Sequence, residues 1–405
     1  MKLRPHQEVS RGYLRARERA YLADQPRVGK TPAAIMAARD LNIRHVTVIC
    51  PASVVSNWRR EWKRWWPKFD GQLEVYSYDK LARNNTAMGS PTLVIFDEFH
   101  YCKTRSAKRT VASLALLKKA RYVWALSGTP APNHPGELYV PLAALWPMEL
   151  RLLNIRNADD WMNLTCHWKS IKVGHRTWVP KVFGAKNAPM VKALLDRLML
   201  RRTFKEVSGK DPVWWSEQFI ALAPADTKLV NALAPLDTPI REEDENLARA
   251  RHELGRLKAP LVAAALADEL RDDPTRKIVV VAYHTAVLLA LAEALAEFEP
   301  ELIDGSVSKT ARDARVAKFQ ERPATRVLIG QHKAIREGIT LDRADSVEMV
   351  ELVFTPGDNE QVANRASSTE KPTVPVRAWS VAGTVDEAVN GVIIRKEEMQ
   401  SEIGL

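Results

Sequence analysis

The sequence predicts an α/β protein built as two parallel-sheet lobes, and three observations carry that expectation. Short apolar runs rich in β-branched residues recur between helical stretches: Val46-Thr-Val-Ile-Cys50, Thr92-Leu-Val-Ile-Phe96, Tyr122-Val-Trp-Ala-Leu126, Ile278-Val-Val-Val-Ala282, Arg326-Val-Leu-Ile329 and Val347-Glu-Met-Val-Glu-Leu-Val353. Strands that are apolar throughout suit a parallel sheet covered on both faces, and their alternation with helices sets the class. The runs form two groups, the first closing at Leu126 and the second opening at Ile278. A chain of 405 residues, 46% of them hydrophobic, is also long enough for two separate cores.

Between the two groups the texture changes to a Trp- and Lys-rich stretch and then a charged helical one. Within the latter, Arg241-Glu-Glu-Asp-Glu-Asn246 reads as a solvated helix start, with Glu245 and Arg249 spaced as an i,i+4 pair. The expected division is a first lobe over 1–205 with an insertion over about 140–200, a helical connector over 206–259 and a second lobe over 260–405. Three dispersed cysteines, Cys50, Cys102 and Cys166, form no C-x-x-C pair, which argues against a disulfide scaffold and for a reducing cytoplasm, and a chain this minimal is expected in a bacterial or viral-host one. The opening Met1-Lys-Leu-Arg-Pro-His-Gln7 lacks the apolar stretch of a signal peptide. The most apolar region, Ile278 to Ala292, is broken by His284 and Thr285 and falls short of the roughly 20 residues that span a membrane. A monomer without a membrane partner is expected.

Charge is uneven. Residues 1–200 hold 33 Lys+Arg and 15 Asp+Glu, a net +18, so the first half is suited to a polyanion such as nucleic acid.

The first chemical signal is Asp24-Gln-Pro-Arg-Val-Gly-Lys-Thr31, placed after the apolar Ala20-Tyr-Leu-Ala23 and before a helical run. A phosphate-binding loop needs close backbone N–H groups, a lysine for the β/γ-phosphates and a hydroxyl for Mg²⁺, which Gly29, Lys30 and Thr31 offer. Asp24 occupies the place of the leading glycine. The second signal is Asp97-Glu98, directly after Leu93-Val-Ile-Phe96. Carboxylates at the C-terminal tip of a buried parallel strand sit where such sheets bind ligands; Asp97 suits Mg²⁺, and Glu98 suits orientation and deprotonation of a water.

These segments, in this order, resemble the Swi/Snf-like branch of superfamily-2 helicases, which are ATP-dependent DNA translocases. Leu3-Arg-Pro-His-Gln7 is similar to the branch's adenine-contacting opening. Cys50-Pro-Ala-Ser-Val-Val-Ser-Asn-Trp58 resembles motif Ia, Tyr76-Ser-Tyr78 motif Ib, Asp97–His100 motif II and Leu126-Ser-Gly-Thr-Pro130 with Asn133 motif III. Val279–His284, Gly338-Ile-Thr-Leu341 and Gln361-Val-Ala-Asn-Arg365 are similar to motifs IV, V and VI, and Glu351-Leu-Val-Phe-Thr-Pro356 is most like the annealing-helicase subgroup.

The resemblance implies two RecA-like lobes with ATP–Mg²⁺ between them. Gln7 would read adenine, while Arg27, Gly29, Lys30 and Thr31 would surround the phosphates. Thr31 and Asp97 would hold Mg²⁺, Glu98 would activate water, and Arg365 would act on the transferring phosphate. Ser53, Asn57, Ser77 and Lys103 would contact the phosphates of double-stranded or branched DNA without reading sequence. Three departures stand out: Arg27 and Arg336 replace glycines, and Ser368 stands where the branch carries its second motif VI arginine. Arg27 is the first candidate to replace that arginine, with Arg336 in reserve. Two functions follow, a DNA-dependent ATPase or a nucleotide- and DNA-binding module that has lost turnover.

Weaker features have plainer readings. Trp58, Trp62 and Trp65 share a helical face and read as packing more than as a DNA surface. Trp214-Trp215 reads as connector packing. Cys166, His167 and His175 are too irregularly spaced for zinc.

Overall fold

The structure, a computed structural model, describes residues 2–83, 89–173, 177–235, 242, 244–336 and 338–405. The chain divides into two compact units, one formed by Met1–Gly209 with Arg395–Leu405 and the other by Lys210–Ile394.

In the first unit, β1 (Arg19–Leu22), β2 (His45–Cys50), β3 (Gln72–Ser77), β4 (Leu93–Asp97) and β5 (Tyr122–Leu126) join the later β8 (Met199–Leu200) in a parallel sheet of order β3-β2-β4-β5-β1-β8. Side chains alternate between its two faces, so each apolar run feeds two cores. Val94 and Phe96 enter one with Val123 and Ala125, while Leu93 and Ile95 enter the other with Trp124 and Leu126. The helix Val55–Trp65 buries Trp58 and Trp62 in the second core, and Trp65 is half-buried. The packing reading of that stripe holds.

Between β5 and β8 the insertion carries an antiparallel ribbon, β6 (Cys166–Val173) and β7 (Thr177–Ala185), which joins neither large sheet.

The second unit is also a parallel sheet, of order β11-β12-β10-β13-β14-β9, formed by β9 (Val213–Ile220), β10 (Ile278–Ala282), β11 (Glu301–Ile303), β12 (Val327–Gln331), β13 (Ser346–Met349) and β14 (Val374–Val381). Ile278, Val280 and Ala282 face one core, and Val279 and Val281 face the other. The expected strand Val347–Val353 stops at Met349, because Glu351 turns its carboxylate back to accept the backbone N–H groups of Tyr283 and His284 at 2.8 and 2.9 Å. Glu348, fully buried, accepts Trp379 Nε1 at 2.9 Å and Arg377 Nε at 2.8 Å; a charge on a core strand is tolerated only with such partners.

The stretch read as a connector is not a separate body. It supplies β9, paired along its length with β14, and the helix Glu245–Asp272, capped by Asp244 Oδ1 on the N–H of Asn246 at 2.8 Å. β9 is a sheet edge with mixed exposure, so it lacks the apolar run that marks a central strand. Trp214 and Trp215 lie on it at 63% and 38% exposure, not packed as connector residues. The last residues leave the expected second lobe for the first unit, where Gln400 Nε2 donates to the Pro132 carbonyl at 2.7 Å. Among the described residues no helix is long and apolar enough to cross a membrane.

Candidate active site

All strands of a parallel sheet end on one edge, and strand order decides which loops become neighbours there. In the first unit the loop after β1 lies next to the loop after β5, which lies next to the tip of β4. The phosphate-loop candidate, Ser127 and the Asp97-Glu98 pair therefore meet, although they are far apart in sequence.

The loop is built around Gly29. Its φ of 91° is left-handed, which favours glycine, and the tip of the Gln7 side chain lies within 2.2 Å of where a Cβ would stand. Gln7 Nε2 itself donates to the Gly29 carbonyl at 3.4 Å. Lys30 begins the helix Lys30–Asp40, with Thr31 beside it, and its Nζ donates to the carbonyls of Asp24 at 2.6 Å and Gln25 at 3.2 Å. Burial depresses Lys30 below the ordinary lysine value, against the opposing pull of Glu98, Asp24 and Asp97. Arg27 also has a left-handed backbone, with φ 66°, a conformation that costs a side-chain-bearing residue roughly 1–2 kcal/mol. Asp24, which looked like only a lost glycine, is buried and accepts Arg202 Nε at 3.1 Å and Ser10 Oγ at 3.2 Å. It anchors the loop to the helix Pro5–Arg15 and to Arg202.

The acidic pair is held from two sides. Trp58 Nε1 donates to Asp97 Oδ2 at 2.7 Å, a contact its packing role did not reveal. Glu98 sits at φ 53°, and its Oε2 accepts Ser127 Oγ at 3.3 Å. His100 Nδ1 lies 2.9 Å from that Oγ and 3.3 Å from Glu98 Oε2. Next to Ser127, a Cβ on Gly128 would come within 2.9 Å of Pro26 Cγ. The loop after β5 thus clasps the phosphate loop on one side and the carboxylates on the other.

Ser53 and Asn57 follow β2, and Ser77 ends β3, so these three lie on the half of the edge away from the phosphate loop. Asn57 Oδ1 accepts Arg60 at 2.6 Å, and Ser77 Oγ accepts the Lys80 N–H at 3.1 Å. Lys103 is not with them: its Nζ is paired with Glu137 Oε1 at 2.6 Å, in a group with Asn133. Burial tends to raise the Glu137 carboxyl, but Lys103 and His134 leave it below the ordinary glutamate value. Cys166 is a buried free thiol and His167 is exposed; His175 lies outside the described residues, and among those described no cluster of three metal-ligating residues occurs.

In the second unit, Arg365 Nε donates to the Arg336 carbonyl at 2.7 Å and its guanidinium reaches the Ile339 carbonyl at 3.5 Å. Arg336 pairs with Asp358 at 2.6 Å. Ser368 Oγ accepts the Glu370 N–H at 3.2 Å, a local turn contact. A cavity of about 370 Å³ opens beside these residues, lined by Arg251, His284, His332, Arg336 and Phe354. His284 is bound to Glu351 at 2.6 Å and His332 Nε2 lies 3.0 Å from Asn359 Oδ1, so both are satisfied histidines; burial pushes His332 down to about 4.

A phosphate-loop candidate and a carboxylate pair on one parallel α/β unit, followed by a second such unit, form the arrangement that the sequence resemblance implies. The helicase conserved C-terminal domain family matches residues 262–369. The chain is 27% identical over 428 residues to the mouse DNA annealing helicase and endonuclease ZRANB3, covering 95% of this chain and 39% of that protein. It is 28% identical over 435 residues to the Xenopus tropicalis SWI/SNF-related matrix-associated actin-dependent regulator of chromatin subfamily A-like protein 1, covering 100% of this chain and 45% of that protein. It therefore spans less than half the length of these relatives. Among solved structures, the Sulfolobus solfataricus SWI2/SNF2 ATPase core in complex with dsDNA is similar at TM-score 0.45 and 19% identity, covering 100% of this chain and 97% of that one. Over nearly its full length the chain is thus similar to SWI/SNF-related proteins and DNA annealing helicases, and residues 262–369 match a helicase C-terminal domain.

Proposed function

We propose that this chain is a DNA-dependent ATPase that uses hydrolysis to move along double-stranded or branched DNA as a monomer. The observation that carries this is the convergence of Lys30, Asp97 and Glu98 on one sheet edge, tied together through Trp58, Ser127 and Gly128. The site fits a magnesium nucleotide. Gly29 gives the loop its left-handed turn, Lys30 is a cation at a helix start, and Asp97 and Glu98 supply the carboxylates. Gln7, against the loop, is assigned to adenine. Lys30 exchanges its two carbonyl partners for phosphate oxygens, with the Gly29 backbone and Arg27 alongside. Thr31 and Asp97 would hold Mg²⁺, which when bound neutralises charge on the phosphates. Glu98, oriented by Ser127, takes the proton of the attacking water. Arg365 is assigned to the transferring phosphate, a role that requires it to leave the Arg336 and Ile339 carbonyls.

Trp58 tests the metal assignment. Trp58→Phe keeps an aromatic core residue but removes the N–H that orients Asp97. The Mg²⁺ concentration for half-maximal hydrolysis should rise roughly 10-fold, the size seen for outer-sphere partners of metal ligands. A magnesium titration with an unchanged midpoint would contradict it.

On the DNA side, Ser53, Asn57 and Ser77 are assigned to phosphate oxygens, and Lys103 joins them only by leaving Glu137. Binding should be independent of sequence and fall steeply as salt rises, with the affinity lost between 50 and 200 mM reaching roughly 10³ for six phosphate contacts. Phosphate release measured with and without duplex DNA is the direct test. Stimulation by duplex supports the proposal, whereas stimulation by RNA alone defeats it. One observation favours a second reading, a binding module without turnover: Ser368 replaces an arginine and serves only a local turn. Absence of phosphate release under any condition would select it.

A further inference from the structure

We propose that the β6–β7 ribbon is a duplex-DNA contact, a basic two-stranded finger that tracks the phosphate backbones. Two-stranded ribbons that join no larger sheet are marginally stable in water, and this one belongs to neither of the large sheets. Its register makes it less favourable still. Lys169 stands directly opposite Lys181, and like charges in cross-strand positions destabilise a pair of strands. The local sequence is uniformly basic: residues 161–195 contain six Lys or Arg and no Asp or Glu. A ribbon anchored only at its base, whose own charged residues are all basic, is suited to an anion from outside.

Shape and charge placement select the anion. Residues two apart on a strand share a face, so Lys169 and Lys181 lie on one face of the ribbon and Lys172 on the other. Lys169 and Lys172 are exposed and Lys181 is partly so. Positive charge on both faces matches a groove with phosphates on both sides, and the B-DNA major groove, about 12 Å wide, admits a two-stranded β-ribbon. The lysines act as point charges, so the contact positions the protein without reading bases. The base of the ribbon is braced against the preceding helix: Trp168 Nε1 donates to Asn163 Oδ1 at 3.0 Å, Lys186 Nζ to the Asn163 carbonyl at 3.0 Å, and Asn187 Nδ2 to the Leu164 carbonyl at 2.8 Å.

This inference rests on the DNA-dependent function proposed above, and the experiment separates the two. The full chain and its Lys169→Ala/Lys172→Ala/Lys181→Ala variant are titrated onto a labelled 30-base-pair duplex by fluorescence anisotropy between 50 and 200 mM salt. Three lost phosphate contacts should make the slope of log affinity against log salt shallower by about 2.7 and weaken binding at least about 10-fold at the lowest salt. Phosphate release without DNA should be unchanged, since none of the three lysines belongs to the phosphate site. The single variant Lys169→Glu guards against misfolding: it turns a repulsive cross-strand pair into an attractive one, so its melting temperature should equal or exceed the parent's while its duplex binding falls. If the parent binds duplex and the triple variant keeps the same affinity and slope, the ribbon assignment is overturned and the DNA-dependent function stands. If the parent binds no duplex, both fall. If the triple variant loses binding to phosphatidylserine vesicles but not to duplex, the ribbon serves a membrane surface and the assignment is again overturned.

Discussion

Lys30→Ala is expected to lower phosphate release about 10²–10³-fold, the size of losing one electrostatic contact to the charge that develops in the transition state. The fold should not suffer. Burial depresses the Lys30 pKa, so folding works against its charge. For a base the sign is clear. A depressed folded value means that the unfolded chain binds the proton more tightly, so at neutral pH the ammonium detracts from stability. Alanine removes that term but also takes a donor from the Asp24 and Gln25 carbonyls, so the melting temperature should change little while turnover collapses. Asp97→Ala should share the loss of turnover, but it strands the Trp58 indole N–H, now at 2.7 Å from its acceptor. Its melting temperature should fall. Phosphate release and thermal melting on both variants read all four outcomes, and near-normal turnover in Lys30→Ala defeats the site assignment.

Arg27→Gly is the second large effect. Arg27 occupies a left-handed backbone position in the phosphate loop, where glycine relieves roughly 1–2 kcal/mol of strain and gives back about 0.5–1 kcal/mol of chain entropy. Stability should therefore be close to the parent's or slightly higher. Activity should move the other way, by about 10² or more in hydrolysis rate and much less in ATP affinity, because an arginine on the transferring phosphate acts mainly in the transition state. The reserve candidate is committed elsewhere: Arg336 is paired with Asp358 at 2.6 Å and offers its carbonyl to Arg365. Adding Ser368→Arg to Arg27→Gly should restore much of the rate. Single-turnover hydrolysis and nucleotide titration on the three proteins measure this, and normal turnover in Arg27→Gly alone rejects the role.

Much of the site could be read from residue order because its pieces are local. Gly29-Lys30-Thr31 needs only a strand before and a helix after, and Asp97-Glu98 needs only a strand tip, so short segments announce them. Lys103 could not be placed this way. Its partner Glu137 is distant in sequence, and a lysine near an acidic motif looks the same whether it meets DNA or a buried carboxylate. Trp58 was legible as packing and not as a hydrogen-bond donor, since its acceptor lies on another strand. The edge strand β9 was not legible, and its exposed Trp214 read as connector packing, because an edge lacks the two-faced burial that writes an apolar run.

The sequence by itself determined the class, the two sheets and the residues proposed for the phosphate site. A parallel strand buried on both faces must be apolar throughout, and a glycine with φ of 91° leaves a fixed mark in its loop. Only the tertiary structure decided which parts meet. Strand order β3-β2-β4-β5-β1-β8 places Ser127 between the phosphate loop and Glu98, couples Trp58 to Asp97 and turns Asp24 inward toward Arg202. It also sends β9 to the second sheet and the last residues to the first unit. The reason is physical: backbone propensity and burial are properties of neighbouring residues, whereas a hydrogen bond or an ion pair between distant residues exists only once the chain's topology has set their separation.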